Sequence, residues 1–349
     1  AFSKLGYRVK VFADCPEHGA MDGDVEYLHF SHWANYIEQN WIDYFISSRT
    51  TDPLRFPVRA GKVYVMIHDV WLLSERSQLF LDKVDKYCAL SDWHKNFAAN
   101  YHGIPENKMC LTSNGINFSR FEINEVKREP YRLVYSSSLD RGIETLLYLF
   151  DFIKAEIPEL ELHIYYGLDN WIKSGKNLDQ LRAIKRRIGI SDGITLSDLL
   201  SILEYAQKRD ALYRKLNEYG KETGIYYHGR IGQKELAREF KKASLWAYPT
   251  DFEETFCITA VECQRAGVPV IASNYAGLRT TVGDSGILIG NGQKGQSSTK
   301  EYREEFVKKC IEILSDRNLW QEWSDRGFKN SEKYSWENVA KQWEKMFEE

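Results

Sequence analysis

The sequence predicts an α/β protein of two doubly wound, Rossmann-like domains, each a parallel sheet with helices over both faces. Short apolar strand signals alternate with helical ones along most of the chain. A charged, unpatterned stretch, INEVKREP at 123–130, divides that alternation into two series. With 349 residues the chain is too long for one ordinary core and suits two of roughly 150 residues each.

The first series, 1–124, opens with AFSKLG, which reads as the last turn of a helix closed by Gly6. An α/β domain begins with a strand, so an opening strand is expected to be missing. Strands are expected at 7–12, 42–46, 62–67, 86–89 and 109–111. DWHKNFAANYHGI reads as a helix that stops near Gly103, with Pro105 just beyond.

The second series, 125–330, starts with a strand at 132–136. A helix at 144–157 follows, with Leu146, Leu147, Phe150 and Ile153 on one face. After a strand at 161–166, about fifty residues (171–222) read as a helical insertion. The strand IYYHG, the helix QKELAREFKKA, the strand SLWAYP, the helix ETFCITAVECQRAG and the strand VPVIAS complete the series. In such sheets a ligand sits beyond the carboxyl ends of the strands.

Composition narrows the function classes. A formal net charge of −3 argues against a broad nucleic-acid surface. The six cysteines form no C-x-x-C pair and read as free, mostly buried thiols in a cytoplasmic, reducing setting. No apolar run approaches the roughly 18 residues that span a bilayer. Asp22-Gly23-Asp24 spells a D-x-D metal pattern but lies in a polar turn, HGAMDGDVEY, so no metal site is assigned. No P-loop, H-E-x-x-H or G-x-S-x-G motif occurs.

The most informative stretch is LWAYPTDFEETFCITAVECQRAGVPVIAS, 245–273. An acidic loop, 250–254, leads from a strand into an expected helix. Glu254 and Glu262 are eight residues apart, which on one helix is a rise of roughly 12 Å with about 80° of residual rotation. Both carboxylates are then expected to face one groove, Glu254 at the helix mouth and Glu262 two turns inside. Glu262 stands among Ile258, Val261 and Cys263, where a carboxylate needs a partner or a ligand. A carboxylate suits adjacent ribose hydroxyls. The helix N-terminus expected near Thr255, Phe256 and Cys257 would present N–H groups and a positive dipole end to a diphosphate.

Pro249, the E-x7-E pair Glu254 and Glu262, and AGVPVIAS at 266–273 resemble glycosyltransferase family 4, of the GT-B fold. The resemblance implies two Rossmann-like domains facing a cleft and a nucleoside diphosphate sugar as donor, UDP- or GDP-linked. It also implies transfer with retained configuration and no cofactor or metal. Glu262 is implied to hold the ribose, and Glu254 to lie near the transferred sugar. Glu253 is one residue too far from Glu262 for that spacing. LVYSSSLDRGIETLL at 133–147 resembles the family's strand–loop–helix, with Arg141 where a phosphate-binding Lys usually stands. An Arg there grips a diphosphate through its bidentate fork. The family's earlier Arg is here Ser136, so phosphate contacts pass to Arg141, the hydroxyls of Ser136 to Ser138, and Arg230 of YYHGRIG. His68, in VMIHDVW, is placed on the acceptor side with a catalytic role. LSDWHKNFAANYHGIPENKMCLTSNGINFSRF at 90–121 also matches, with Asn117 replacing an Asp. The segment 331–349 resembles the family's final helix, which returns to the N-terminal domain. Leu278-Arg279-Thr280 departs from the usual loop beside the donor sugar.

The expected activity is hexosyl transfer to a glycan or lipid-linked acceptor, by a cytoplasmic protein. The basic stretch LRAIKRRIGI, 181–190, suggests weak peripheral contact with the inner face of a membrane. Residues 1–124, with 13 Lys+Arg against 15 Asp+Glu, offer no broad basic surface for it. The alternatives are a GT-B epimerase or phosphorylase, and a non-catalytic or truncated nucleotide-sugar-binding module.

Overall fold

A computed structural model describes residues 1–71, 79–123, 125–167, 207–208 and 210–348. The chain divides into two compact units, one of Ala1–Ile116 with Lys333–Glu349, the other of Asn117–Glu332.

In the first unit, strand β1 (Lys10–Ala13) pairs in parallel with β3 (Val25–His29), and β3 pairs antiparallel with β2 (Ala20–Asp22). This small sheet was not expected. Its hairpin turns at Gly23-Asp24, with Gly23 at φ 56°, so the D-x-D triplet lies in an exposed two-residue turn. Helix α1 (Trp33–Gln39) leads to a second, wholly parallel sheet of β4 (Ile42–Ser48), β5 (Ala60–Met66), β6 (Lys86–Ala89) and β7 (Met109–Leu111), in that order. Helix α2 (Asp92–His102) connects β6 to β7, capped by Ser91, whose hydroxyl accepts from His94 N. The chain before Gly6 is a 3-10 turn, Phe2–Leu5, rather than an α-helix. The final helix, Trp336–Glu348, belongs to this unit and buries Val339, Trp343 and Phe347 against Tyr64 and Cys88.

The second unit is one six-stranded parallel sheet. Its strands are β8 (Arg132–Tyr135), β9 (Glu161–Ile164), β10 (Ile225–Tyr227), β11 (Leu245–Tyr248), β12 (Val270–Ser273) and β13 (Ile287–Ile289). Their order is β10-β9-β8-β11-β12-β13. β8, β11 and β12 are buried along their whole length, which explains their unbroken apolar reading. From β8 the chain winds outward through β9 and β10, then returns to β8's other side and winds outward again. The order therefore reverses between β8 and β11, the point at which an open α/β sheet leaves a crevice beyond its strand ends.

Several helix bounds differ from expectation. Helix α3 (Ile143–Glu156) buries the expected Leu146, Leu147, Phe150 and Ile153. Helix α4 (Gln233–Lys242) precedes β11, but the helix after it, α5, covers only Ile258–Arg265. Of the expected insertion, 210–218 are helical, and 171–206 lie outside the described residues, as does the basic stretch 181–190. The supposed linker is anchored: Arg128 Nη2 donates to Ala266 O (2.9 Å) and Glu129 N to Lys242 O (2.8 Å). Among the described residues no helix is long and apolar enough to cross a membrane.

Candidate functional site

The site is built where β8 and β11 lie side by side, with Leu133 against Leu245 and Val134 against Trp246. The loops leaving these strands therefore meet. The β8 loop carries Ser136 to Arg141 and the β11 loop carries Pro249 to Cys257. Gly142 brings them into contact. It adopts φ 103°, and a Cβ there would lie 2.3 Å from Pro249 O, so only glycine fits.

Arg141 Nη1 donates to both oxygens of Glu254, at 3.1 and 3.3 Å. Its guanidinium also lies over the Phe252 ring, 4.0 Å from the centroid. Burial disfavours the charge on Arg141, but Glu254 outweighs it, and the pKa rises. Glu254 is only 5% exposed, and Tyr248 OH donates to its Oε1 (2.7 Å). Tyr248 OH also lies 3.1 Å from Ser137 Oγ. Burial first, and the Glu254 charge second, hold the Tyr248 phenol well above its usual pKa.

The acidic loop distributes its carboxylates outward. Asp251 accepts from Ser297 Oγ, and Glu253 from Lys294 Nζ (3.1 Å) and Tyr275 OH (3.4 Å). Thr250 N donates to Ser273 Oγ (2.8 Å). Gly277 N donates to Glu254 O (2.7 Å), and a Cβ on Gly277 would sit 2.6 Å from that oxygen. Arg279 turns to Asn274, donating from Nε to Oδ1 (3.0 Å).

The expected helical relation of Glu254 and Glu262 is corrected. Helix α5 begins at Ile258, and Cys257 before it takes a left-handed φ of 68°. Thr255, Phe256 and Cys257 therefore form the turn ahead of the helix, not its first turn. Glu254 lies outside the helix, and its place is set by Arg141 and Tyr248 instead. Periodicity could not show this, because the left-handed step at Cys257 has no signature in a non-glycine residue. Phe256 and Cys257 are buried. The charges of Glu254, Arg141 and Glu262 all act on the Cys257 thiol, after burial, which raises its pKa most.

Glu262 lies on α5, one turn beyond Thr259, whose hydroxyl donates to Ser136 O (3.3 Å). Its half-buried carboxylate has no hydrogen-bond or ion-pair partner among the described residues. Burial raises its pKa to about 7, opposed only by Arg120. Arg141 pairs with Glu254 and not with Glu262. Ser136 is also corrected: its hydroxyl is enclosed without a partner, not open to a ligand. Ser138 accepts at its backbone oxygen from Tyr135 OH (2.8 Å). Arg230 is exposed in the loop after β10, packed on Gly167 beyond β9, two strands from β8.

His68 follows β5 in the first unit. Burial, then Arg49, lower its pKa, so it is neutral at pH 7. The next residues are held from α2: His94 donates from Nε2 to Asp69 O (3.2 Å), since its Nδ1 accepts from Leu90 N (3.3 Å).

Tyr248 is the contact that motif reading passed over, and Ser137, expected among the phosphate-side hydroxyls, turns its hydroxyl to Tyr248 instead. A signal was present, because a tyrosine ending a fully apolar strand must find a partner for its hydroxyl.

Residues 117–330 match the family model described as glycosyl transferases group 1. Among curated proteins, the chain is 28% identical over 134 residues to the O-antigen chain mannosyltransferase B of Escherichia coli. That match covers 38% of this chain and 32% of the relative, so the chain spans about a third of the curated relative's length. Among solved structures, sucrose-phosphate synthase from Thermosynechococcus elongatus aligns over 99% of this chain and 90% of its own, with TM-score 0.64 and 16% identity. The Anabaena protein HepE in complex with UDP-glucose aligns over 82% of this chain and 72% of its own, with TM-score 0.54 and 13% identity. At those identities the likeness is one of fold, and it is the GT-B class expected from the sequence. Because the matched model spans more than half of the chain and contains the whole Arg141–Glu254–Glu262 constellation, the chain belongs to the glycosyl transferases group 1 family.

Proposed function

We propose that the second unit binds a nucleoside diphosphate sugar at its β8/β11 switch point and that the chain transfers the hexosyl group to a hydroxyl of a glycan or lipid-linked acceptor. The reading rests on one observation. A phosphate-competent arginine, held by a buried carboxylate, stands on the switch point's loops, and helix α5 directly after them carries a second carboxylate, partnerless among the described residues, whose pKa is raised to about 7. Among the described residues only Nη1 of Arg141 is hydrogen-bonded, so Nε and Nη2 offer two parallel N–H groups to a diphosphate. In this reading Ser138, the backbone of Thr255 to Cys257 and, more remotely, Arg230 complete the donor side. Glu262 accepts the ribose hydroxyls, Glu254 orients the sugar, and neutral His68 serves the acceptor side. Positive charge and backbone N–H groups stabilise the departing diphosphate in place of a metal, and the resemblance to glycosyltransferase family 4 supports retained configuration. The UDP-glucose complex of HepE makes UDP the first nucleotide to test.

The test is a calorimetric titration with UDP- and GDP-sugars, with slow donor hydrolysis as the second readout. Glu262→Ala is expected to weaken donor binding at least tenfold. Unchanged affinity in that variant defeats the ribose assignment. Tight binding without hydrolysis by wild type favours the non-catalytic module instead.

A further inference from the structure

The fully buried Tyr248 hydroxyl lies between Ser137 Oγ (3.1 Å) and Glu254 Oε1 (2.7 Å), while Glu254 faces Arg141 with both oxygens. We propose that Tyr248 is a positioning residue, whose single proton competes with Arg141 for Glu254 Oε1, loosens that ion pair and so keeps the arginine available to the donor's diphosphate. The proposal rests on the donor reading above.

Proton counting sets the direction of the relay. An ionised carboxylate only accepts. Tyr248 has one hydroxyl proton, and burial together with the nearby Glu254 charge keeps it on the phenol. That proton therefore goes to Glu254. The contact with Ser137 then requires the serine to donate to the phenol oxygen. The chain runs Ser137 to Tyr248 to Glu254, with Arg141 donating to the same carboxylate from the other side. The Ser137 proton is committed inward and cannot reach a phosphate, so with Ser136 enclosed, Ser138 carries the loop's hydroxyl that is open and unbonded among the described residues.

Removing the phenol oxygen has a defined effect. Glu254 is 5% exposed and cannot recover the lost donor from bulk water. Its remaining strong donor is Arg141, so the pair tightens and Arg141 is drawn from the phosphates. The ring need not move, because Phe keeps the packing of residue 248 on Trp246, at 4.7 Å between centroids, and on Tyr135, at 5.9 Å.

The experiment is a double-mutant cycle of Tyr248→Phe and Glu254→Gln, read by UDP affinity and by thermal melts without nucleotide. Tyr248→Phe is expected to weaken UDP binding about tenfold, the scale of one hydrogen bond to a charged group. In the Glu254→Gln background the same change is expected to cost nothing further. Ser137→Ala, which leaves the Tyr248–Glu254 bond intact, is expected to bind UDP as wild type does, and serves if Tyr248→Phe does not fold. A Tyr248→Phe variant with wild-type UDP affinity, an equal loss in both backgrounds, or a tenfold loss in Ser137→Ala overturns the relay. Absence of coupling in the nucleotide-free melts overturns it whatever the donor. Coupled melts in a wild-type chain that binds no nucleotide overturn the donor reading and leave the relay standing.

Discussion

Arg141 and Glu254 are 113 residues apart in sequence, yet Arg141 Nη1 stands 3.1 Å from one carboxylate oxygen and 3.3 Å from the other. The pair joins the loops of two adjacent strands at the point where the strand order reverses. Its stability and functional consequences separate. Arg141→Ala leaves a carboxylate 5% exposed without its cation, at a cost of roughly 1–3 kcal/mol after allowing for the partly exposed arginine. Adding Glu254→Gln is expected to restore most of that stability but not donor binding. Urea midpoints and UDP titrations of the single and double variants check both halves.

Glu262 carries an opposite trade. Its folded pKa of about 7 lies above the ordinary 4.5, so the folded state binds the proton more tightly. Its contribution is thus favourable below pH 4.5 and is lost as pH rises through 7. Glu262→Gln is expected to stabilise the fold at pH 8 by about 1–3 kcal/mol while weakening donor binding. Equal urea midpoints for wild type and variant at pH 8 would contradict the raised pKa of this half-buried carboxylate.

Gly142 sets the contact of the two loops. Gly142→Ala places a Cβ 2.3 Å from Pro249 O at φ 103°. The strain and the displaced loop are expected to cost about 2–4 kcal/mol. Donor affinity should fall with it, since Arg141 is the preceding residue. Thermal melts and titrations with the variant test this.

His94, fully buried, has its pKa lowered to about 4, first by burial. The unfolded chain takes up that proton first, so this contribution is intact above pH 6.5 and is lost as pH falls toward 4. Between pH 7 and 5 the loss is about 2 kcal/mol. His94→Asn is expected to flatten that part of the stability–pH curve by this amount, measured by urea denaturation at each pH.

Much of the fold was legible in local sequence. Strands at 86–89 and 109–111, and the apolar face of the helix at 143–156, follow from local apolar patterning, because each element's buried side carries its apolar residues. The hairpin at 20–29 was missed, since its strands are short and more polar than a core strand. Arg141, Glu254 and Glu262 were all legible as residues, but not their pairing.

The sequence by itself determined the two alternating series, the α/β class and the short list of charged residues beside the strand ends, because each depends on neighbours a few positions away. Tertiary structure alone decided that β8 and β11 are adjacent, that a left-handed step at Cys257 keeps Glu254 off the helix, and that Arg141 takes Glu254 rather than Glu262 as its counter-ion. These depend on contacts between residues more than a hundred positions apart, or on a backbone angle that side-chain type does not announce, and no local pattern encodes either.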